Sequence, residues 1–163
     1  MFRFLWIALL AYVADQLSKL AAVKYLTRHD LVLTPFLNLS LAYNSGAAFS
    51  FLSNASGWQN MFFVIVAIIV SIVILLMIRR LGANDIQVAV ALMLVLGGAA
   101  GNLTDRIRLG YVIDFIDIYY KSWHWPTFNV ADSAITIGAL LMLLDTLGLG
   151  FRRRHDSDQH IPE

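Results

Sequence analysis

The sequence predicts a polytopic α-helical membrane protein with four transmembrane helices, a small extracytoplasmic β-sheet platform and a short surface helix or loop. Three observations support this fold class. Of the 163 residues, 59% are hydrophobic and 14% are charged, whereas soluble domains are about half apolar and about a quarter charged. Four apolar segments are each long enough to cross roughly 30 Å of hydrocarbon. The stretches between them include β-branched and aromatic runs, which favour strands.

The four apolar segments organise the chain as one membrane-embedded domain, residues 1–163. We place the spans at approximately residues 4–26, 61–78, 86–103 and 130–149. The first segment is interpreted as a retained span, because Asp15, Gln16 and Lys19 stand where a cleaved signal peptide needs small residues. Asp15 and Lys19 are four residues apart, so they can pair on one helical face. A buried pair between helices is a simpler interpretation of them than catalysis.

The outer end of the third segment combines small and polar residues. The run "GGAAG" at residues 97–101 lets neighbouring helices approach closely. Asn102, Asp105 and Arg106 follow at spacings of three and four, which places them on one face of a helix. A structural helix-end cluster with an Asp-Arg pair is the simpler interpretation of Asp105. Asn102 and Arg106 could equally donate hydrogen bonds to a substrate carbonyl.

Basic residues predict the orientation in the membrane. Six of them lie on one side of the four spans and four or five on the other, so the positive-inside rule gives a small margin. Their tight clustering at helix ends places both termini in the cytoplasm. The outward segments are then approximately residues 27–60 and 104–129, and the cytoplasmic tail is residues 150–163.

The outward segments contain strand-like stretches. In "LVLTPFLNLSLAYNSGAAFSFL" an Asn-Ser-Gly turn follows the apolar pattern. We expect Gly46 of this turn to adopt a positive φ and to let the loop pivot over a substrate. The stretch "YVIDFIDIYY" is β-branched and aromatic, which favours a strand. Asp114 and Asp117 would face opposite sides of that strand, so only one of them can look into a shared site.

Asn129 and Asp132 open the fourth apolar segment and permit two interpretations. Asn129 can cap the helix, with Asp132 at the third helical position completing a capping box in which Asp replaces Glu. Local sequence supports capping and catalysis equally for Asp132. Asp114 has no capping role, so the economical explanation is that Asp114 and Asp132 face each other at the outer membrane surface. Two carboxylates that close cannot easily both ionise, which is the acid–base arrangement of an aspartic peptidase.

Other chemistries and functions have less support. The chain has no cysteine, no His-Glu-x-x-His, no Gly-x-Ser-x-Gly and no Gly-rich phosphate loop. The net charge of +1 and the lack of a basic stripe give no case for nucleic acid. The alternative function is a small proton- or cation-conducting channel or transporter that uses intramembrane aspartates. Against it, the polar residues cluster towards one face of the membrane. A structural membrane subunit is a third class.

Five sequence blocks occur in a recognisable order. They are "DQLSK" (15–19), "NSGAAFS" (44–50), "GNLTDR" (101–106), "VIDFID" (112–117) and "FNVAD" (128–132). Together with the four spans, they make the chain resemble the lipoprotein signal peptidases, the type II signal peptidases of bacteria. The resemblance implies an aspartic endopeptidase of the bacterial inner membrane, with its active site near the periplasmic surface. Such an enzyme removes the signal peptide of prolipoproteins by cleaving before a cysteine that carries a diacylglyceryl group.

The resemblance also implies roles for individual residues and partners. Asp114 and Asp132 correspond to the catalytic pair, and other residues supply substrate contacts or support. Membrane lipid and inhibitors of the globomycin type, cyclic peptides that occupy the substrate groove, are the further partners implied, and no metal or organic cofactor is. The residues around the pair and the substrate backbone are Asn44, Asn102, Arg106 and Asn129, and the supporting ones are Asp15 and Asp105.

Overall fold

The computed structural model describes residues 1–46 and 58–150. In this part of the chain, four long helices and a four-stranded sheet follow a short 3-10 turn, Phe2–Phe4. The helices are α1 (Leu5–Leu26), α2 (Trp58–Arg80), α3 (Ile86–Leu109) and α4 (Val130–Thr146). The strands are β1 (Leu31–Thr34), β2 (Leu37–Asn44), β3 (Val112–Tyr120) and β4 (Trp123–His124).

Three of the helices in the described part are long and apolar enough to cross a membrane. They are α1 with its preceding turn, α2 and α3. Most apolar side chains of α2 are exposed, as expected for a helix that faces lipid. The fourth helix has 17 residues and ends at Thr146, before residue 149, where the fourth span was expected to end. The described structure therefore contains three candidate spans where four were expected.

Glycines allow α3 to contact its neighbours backbone to backbone. A Cβ atom on Gly97 would lie 2.5 Å from the Ala8 carbonyl oxygen of α1. On the other side, a Cβ on Gly98 would overlap the Ala131 carbonyl oxygen of α4. The close approach predicted from "GGAAG" is confirmed, and it brings the polar outer ends of α1, α3 and α4 together.

The sheet is antiparallel and its strands are in the order β1-β2-β3-β4. A bulge in β2 between Leu39 and Ala42 shifts the register against β3. Phe115 of β3 packs with Ala22 and Leu26 of α1, which fixes the sheet on one end of the helices. The small sheet and the strand predicted for "YVIDFIDIYY" are confirmed.

Helix α3 continues beyond residue 103, where the third predicted span ends. Residues 104–109 belong to α3, which ends only where Gly110 adopts φ 83° as its C-cap. Asn102 and Asp105 near the end of this helix are buried, and Asp105 has partners on α1 and β3. Residues 47–57 of the first outward segment and residues 151–163 of the predicted tail lie outside the described residues.

Candidate active site

A buried cluster around Lys19 joins α1 to α3. The Lys19 ammonium lies 2.8 Å from Asp15 Oδ2 and 2.8 Å from Asp105 Oδ2, and it donates to Asn102 Oδ1 at 2.9 Å. Three acceptors match the three N–H donors of an ammonium group. All four side chains are buried. The expected pair of Asp15 and Lys19 on one helical face is therefore confirmed.

The expected pairing of Asp105 with an arginine is wrong. Asp105 pairs with Lys19, and it also accepts from the backbone N–H of Ile113 at 3.2 Å. Adjacent residues on a helix do not face each other, so Arg106 points elsewhere. Its guanidinium lies 4.9 Å from the ring centre of Phe63 and donates to the Asn102 carbonyl at 3.4 Å. Asp105 thus ties the end of α3 to α1 and to the first residues of β3.

The N-terminus of α4 is held by side chains from within the helix and from α1. Asn129 Oδ1 accepts from the Asp132 N–H at 2.9 Å, and Asp132 Oδ2 accepts from the Asn129 N–H at 3.2 Å. This reciprocal pair is the predicted capping box. Asp15 Oδ1 accepts from the Ala131 N–H at 2.9 Å. Asp15 therefore binds the N-terminus of α4 through one oxygen and Lys19 through the other, which is consistent with a structural role.

Capping leaves the second oxygen of Asp132 for other contacts. Asp132 Oδ1 accepts from Asn102 Nδ2 at 2.7 Å. The side chain is only partly buried, whereas the neighbouring Ala131 is fully buried. Asp132 therefore combines a structural bond at one oxygen with an accessible carboxyl group, so the two interpretations of this residue are compatible.

Asp114 is 1% exposed and is held by two neutral amides. Asn44 Nδ2 donates to its Oδ2 at 3.0 Å, and Asn129 Nδ2 donates to its Oδ1 at 2.7 Å. Burial raises the pKa of Asp114 to about 6, and the Asp132 charge adds to this effect, while the bonds from Asn44 and Asn129 oppose it. Asp114 is thus a carboxyl group that holds a proton more readily than an ordinary aspartic acid.

Two asparagines join the two carboxyl groups into one network. Asn129 Nδ2 contacts Asn102 Oδ1 at 3.1 Å as well as Asp114, and Asn102 donates to Asp132. The charge of Arg106 interacts with those of both aspartates. The structure thus brings together Asp114, Asp132, Asn44, Asn102, Asn129 and Arg106 at the junction of β2, β3, α3 and α4.

Gly46 lies at the edge of this network. Its N–H donates to Asn44 Oδ1 at 2.9 Å, which orients the Asn44 amide towards Asp114. The expected positive φ is confirmed, at 98°. A Cβ at this position would lie 2.8 Å from the ring of Phe63 in α2. The rest of the "NSGAAFS" block, from residue 47 on, lies outside the described residues.

A cavity of about 460 Å³ opens beside Asp132. Its walls are mostly apolar and come from the β3–β4 region and the first turns of α4. Trp123 and Trp125, which line this cavity, were not among the residues predicted for the site. Lys19 was likewise recognised as a partner of Asp15 but not as a partner of Asn102. The lining residues are Ile118, Trp123, Trp125, Phe128, Asp132, Ser133 and Thr136.

Metal-ligating side chains are not grouped in the described part. Within residues 1–46 and 58–150, no three His, Cys, Asp or Glu side chains are arranged so that they could hold a metal ion. The polar centre of these residues is instead a set of carboxyl groups held by amides and by one ammonium group.

Apolar helices around buried carboxyl groups are the fold and site of a membrane enzyme, and two solved structures share this architecture. Both are bacterial membrane enzymes determined by the in meso method. One has a TM-score of 0.77 and 30% sequence identity, and the match covers 100% of this chain and 94% of that chain. The other has a TM-score of 0.79 and 32% identity, over 90% of this chain and 94% of that one.

The family model of signal peptidase (SPase) II matches residues 7–148. The chain therefore belongs to the signal peptidase II family, and the resemblance seen in the five sequence blocks is confirmed. A lipoprotein signal peptidase of Acinetobacter baumannii is 50% identical, over 94% of this chain and 89% of that protein. Those of Alteromonas mediterranea and Pseudomonas putida are 44% and 50% identical, covering 95% and 86% of this chain and 86% and 84% of their own lengths. Family membership makes the chain a membrane peptidase.

Proposed function

We propose that this protein is an intramembrane aspartic endopeptidase that removes the signal peptide from diacylglyceryl-modified prolipoproteins, cleaving just before the lipidated cysteine. Membership of the signal peptidase II family supports the peptidase activity, and the names of the relatives point to lipoprotein precursors. The observation that carries the aspartic mechanism is the network that joins Asp114 and Asp132 through Asn102 and Asn129.

In the proposed mechanism the two carboxyl groups share one proton. Asp132 is only partly buried and lies at the N-terminus of α4, where the positive end of the helix dipole faces its carboxyl group. Burial raises the pKa of Asp114 to about 6, so Asp114 binds a proton more readily than an ordinary aspartic acid does. Asp132 is therefore the base and Asp114 the acid at the start of the reaction.

Hydrolysis then proceeds in two steps. Asp132 removes a proton from water while the water oxygen bonds to the scissile carbonyl carbon, and Asp114 donates its proton to the carbonyl oxygen. The product is a tetrahedral diol. In the second step, Asp132 gives its proton to the amide nitrogen as the C–N bond breaks, and Asp114 takes a proton back from a hydroxyl group. One water is consumed, and the two aspartates regain their initial states.

The surrounding residues hold this pair and the substrate backbone. Asn44 and Asn129 orient Asp114, and Asn102 orients Asp132. The charge of Arg106 stabilises negative charge that develops at the scissile carbonyl. Gly46 gives the strand end its tight turn beside Asn44. Asp15 and Asp105 act through Lys19, by fixing α1, α3 and α4 relative to one another.

The cavity beside Asp132 suits an apolar part of the substrate next to the scissile bond. It lies between the start of α4 and two tryptophans, so an aliphatic group there would be adjacent to the base. Inhibitors of the globomycin type would occupy the same groove. The exposed apolar surface of α2 is suited to contact with membrane lipid.

Four spans with both termini in the cytoplasm are the topology that we propose. The 17 residues of α4 rise about 25 Å, which is close to the hydrocarbon thickness. In α2, Phe63 lies near the candidate site, whereas Arg79 and Arg80 form the opposite end. Arginines on the cytoplasmic side would place the site near the periplasmic surface of the inner membrane. Reporter fusions after Arg80 and Arg154 should read cytoplasmic, one near Trp123 should read periplasmic, and a periplasmic tail would contradict this topology.

The test of the function is cleavage by the purified protein in lipid or detergent. A diacylglyceryl-modified precursor should yield a product that begins with the lipidated cysteine, identified by mass spectrometry. The same precursor with an unmodified cysteine is the matched control and should be cleaved much more slowly. Proton or cation flux into proteoliposomes without any cleavage would instead favour the channel or transporter.

A further inference from the structure

Strand β3 carries a second buried carboxyl group, Asp117, which the proposed mechanism does not use. Asp117 is 6% exposed and lies three residues from Asp114, on the other face of the strand. Its two oxygens lie 2.9 and 3.0 Å from Nδ1 of His124, and Asn38 Nδ2 donates to it at 3.4 Å. A buried carboxyl group needs such partners. The contact with His124 therefore helps to satisfy a carboxyl group that is buried in the sheet.

His124 belongs to β4, which has only two residues, Trp123–His124. Backbone pairing joins His124 to Tyr119 and Trp123 to Tyr120, and the imidazole stacks on the Tyr119 ring at 5.3 Å. A strand this short contributes few backbone bonds, so its position depends on side-chain contacts. The His124–Asp117 contact is the polar one among them.

The turn between β3 and β4 has a backbone conformation that needs support. Lys121 has φ 57°, in the left-handed region that residues other than glycine rarely adopt. Such strain persists only where the surrounding structure holds it. His124 follows Lys121 by three residues. Its side chain is 53% exposed, and its contact with the buried Asp117 ties the turn to the sheet.

The anchor and the cavity lie on opposite faces of this hairpin. Because side chains alternate along an extended chain, Trp123 and Trp125 point away from the side taken by His124. Both indoles line the cavity beside Asp132, and their rings pack edge to face at 5.9 Å. The contact that holds His124 in place therefore also holds Trp123 and Trp125 in the wall of the cavity.

We propose that Asp117 and His124 are positioning residues for substrate binding, because their contact holds the β3–β4 hairpin so that Trp123 and Trp125 form the wall of the cavity beside Asp132. They act through the two indoles and touch neither the aspartate pair nor the substrate. This inference rests on the proposed peptidase function, and it assigns to the cavity the apolar part of the substrate next to the scissile bond.

Cleavage kinetics of the lipidated precursor give the first test. Asp117→Leu and His124→Leu should each lower kcat/KM about tenfold through KM, with kcat within about twofold of the parent. The double variant should be no worse than either single one, because the two residues act as a unit. In His124→Asn the amide nitrogen takes the place of Nδ1, so KM should stay near the parent value. Adding Lys121→Gly to His124→Leu should recover part of the loss by relieving the turn.

Tryptophan emission gives a second test that does not depend on activity. In a Trp6→Phe/Trp58→Phe background, the remaining tryptophans are Trp123 and Trp125. His124→Leu should increase their quenching by acrylamide, and His124→Asn should not. Unchanged KM in both leucine variants, equal losses in His124→Asn, or a loss confined to kcat would overturn the inference. A parent protein that cleaves no precursor would contradict the proposed function, and the emission would still decide whether the contact positions the hairpin.

Discussion

Two buried aspartates of one strand, Asp114 and Asp117, are held in different ways. Asp114 accepts hydrogen bonds from two neutral amides, those of Asn44 and Asn129. Asp117 contacts the basic imidazole of His124. A neutral amide orients a carboxyl group without fixing its charge, whereas an ammonium group holds a carboxylate by its charge, and an imidazole does so when it is protonated. The first arrangement suits a group that must gain and lose a proton, and the second suits an anchor.

The same contrast applies to the rest of the candidate site. Asp15 and Asp105 share the ammonium group of Lys19, so they resemble Asp117 in having a basic partner. Asp132, like Asp114, is held by N–H donors of uncharged groups. The way in which each carboxyl group is held therefore separates the proposed acid and base from the structural carboxylates around them.

The largest expected effect is on turnover, when the two aspartates of β3 are compared directly. Asp114→Asn keeps the shape and removes the acid, so kcat should fall by ~10³-fold or more, and Asp132→Asn should do the same by removing the base. Asp117→Asn on the same strand is the matched control, and its kcat should stay within about twofold of the parent value. Cleavage rates of purified variants measure this. Equal losses of kcat in Asp114→Asn and Asp117→Asn would contradict the proposed difference between a catalytic and a structural carboxyl group.

Lys19→Met should mainly affect stability. It leaves Asp15 and Asp105 buried without their cation, which typically costs about 3–5 kcal/mol. Thermal unfolding in detergent measures the change. Lys24→Met, on the same helix and exposed, is the control and should change stability little. If the two variants unfolded alike, the cluster around Lys19 would not be the link between α1 and α3.

The pH dependence of stability should separate Asp114 from ordinary carboxyl groups. Burial raises its pKa from 3.8 to about 6, so the folded protein binds this proton more readily than the unfolded chain. The stabilising contribution is full below about pH 4 and is lost as the pH rises through 6, by about 3 kcal/mol. Asp114→Asn should remove this component from unfolding curves between pH 4 and 7. If the difference in unfolding free energy between the parent and Asp114→Asn did not change between pH 4 and 7, Asp114 would titrate like an ordinary aspartic acid.

Gly46→Val should impair the support of Asp114 by Asn44. A side chain at φ 98° is strained, and its Cβ would meet the Phe63 ring at 2.8 Å. Strain of about 1–3 kcal/mol corresponds to about a tenfold to hundredfold loss of cleavage. Gly110→Val has similar φ strain but nothing within 4 Å of its Cβ, and should be milder. Unchanged turnover in Gly46→Val would count against a role for this turn.

Local patterns predicted much of the fold. Alternation and β-branching identified β3, the Asn129–Asp132 spacing predicted the capping box, and the glycine run predicted close helix packing. Each of these depends on residues near one another in the chain. Helix α3 extends past residue 103, the end of the predicted span, and Asp105 in this extension is buried against Lys19, which is far away in sequence.

Long-range partners could not be predicted from spacing. Nothing in the sequence shows that Asp105 pairs with Lys19 and not with its neighbour Arg106, or that Asp117 meets His124. The two carboxyl groups of the proposed pair were brought together by an argument from the cost of burial, and the family resemblance placed Asn102 and Asn129 around them. The hydrogen bonds by which these amides join the pair became visible only in the fold. These contacts depend on how the helices and strands pack against one another, because packing decides which side chains of different elements face each other.

The most direct measurement of the central claim, that Asp114 and Asp132 act as one acid–base pair, is a double-mutant cycle. It compares kcat for Asp114→Asn, Asp132→Asn and the double variant on a diacylglyceryl-modified precursor. Retained binding of a globomycin-type inhibitor would show that each variant is folded. Residues that act as a unit are non-additive, so the double variant should be little worse than the worse single one. Losses that multiply in the double variant, or near-normal turnover in either single variant, would contradict the claim.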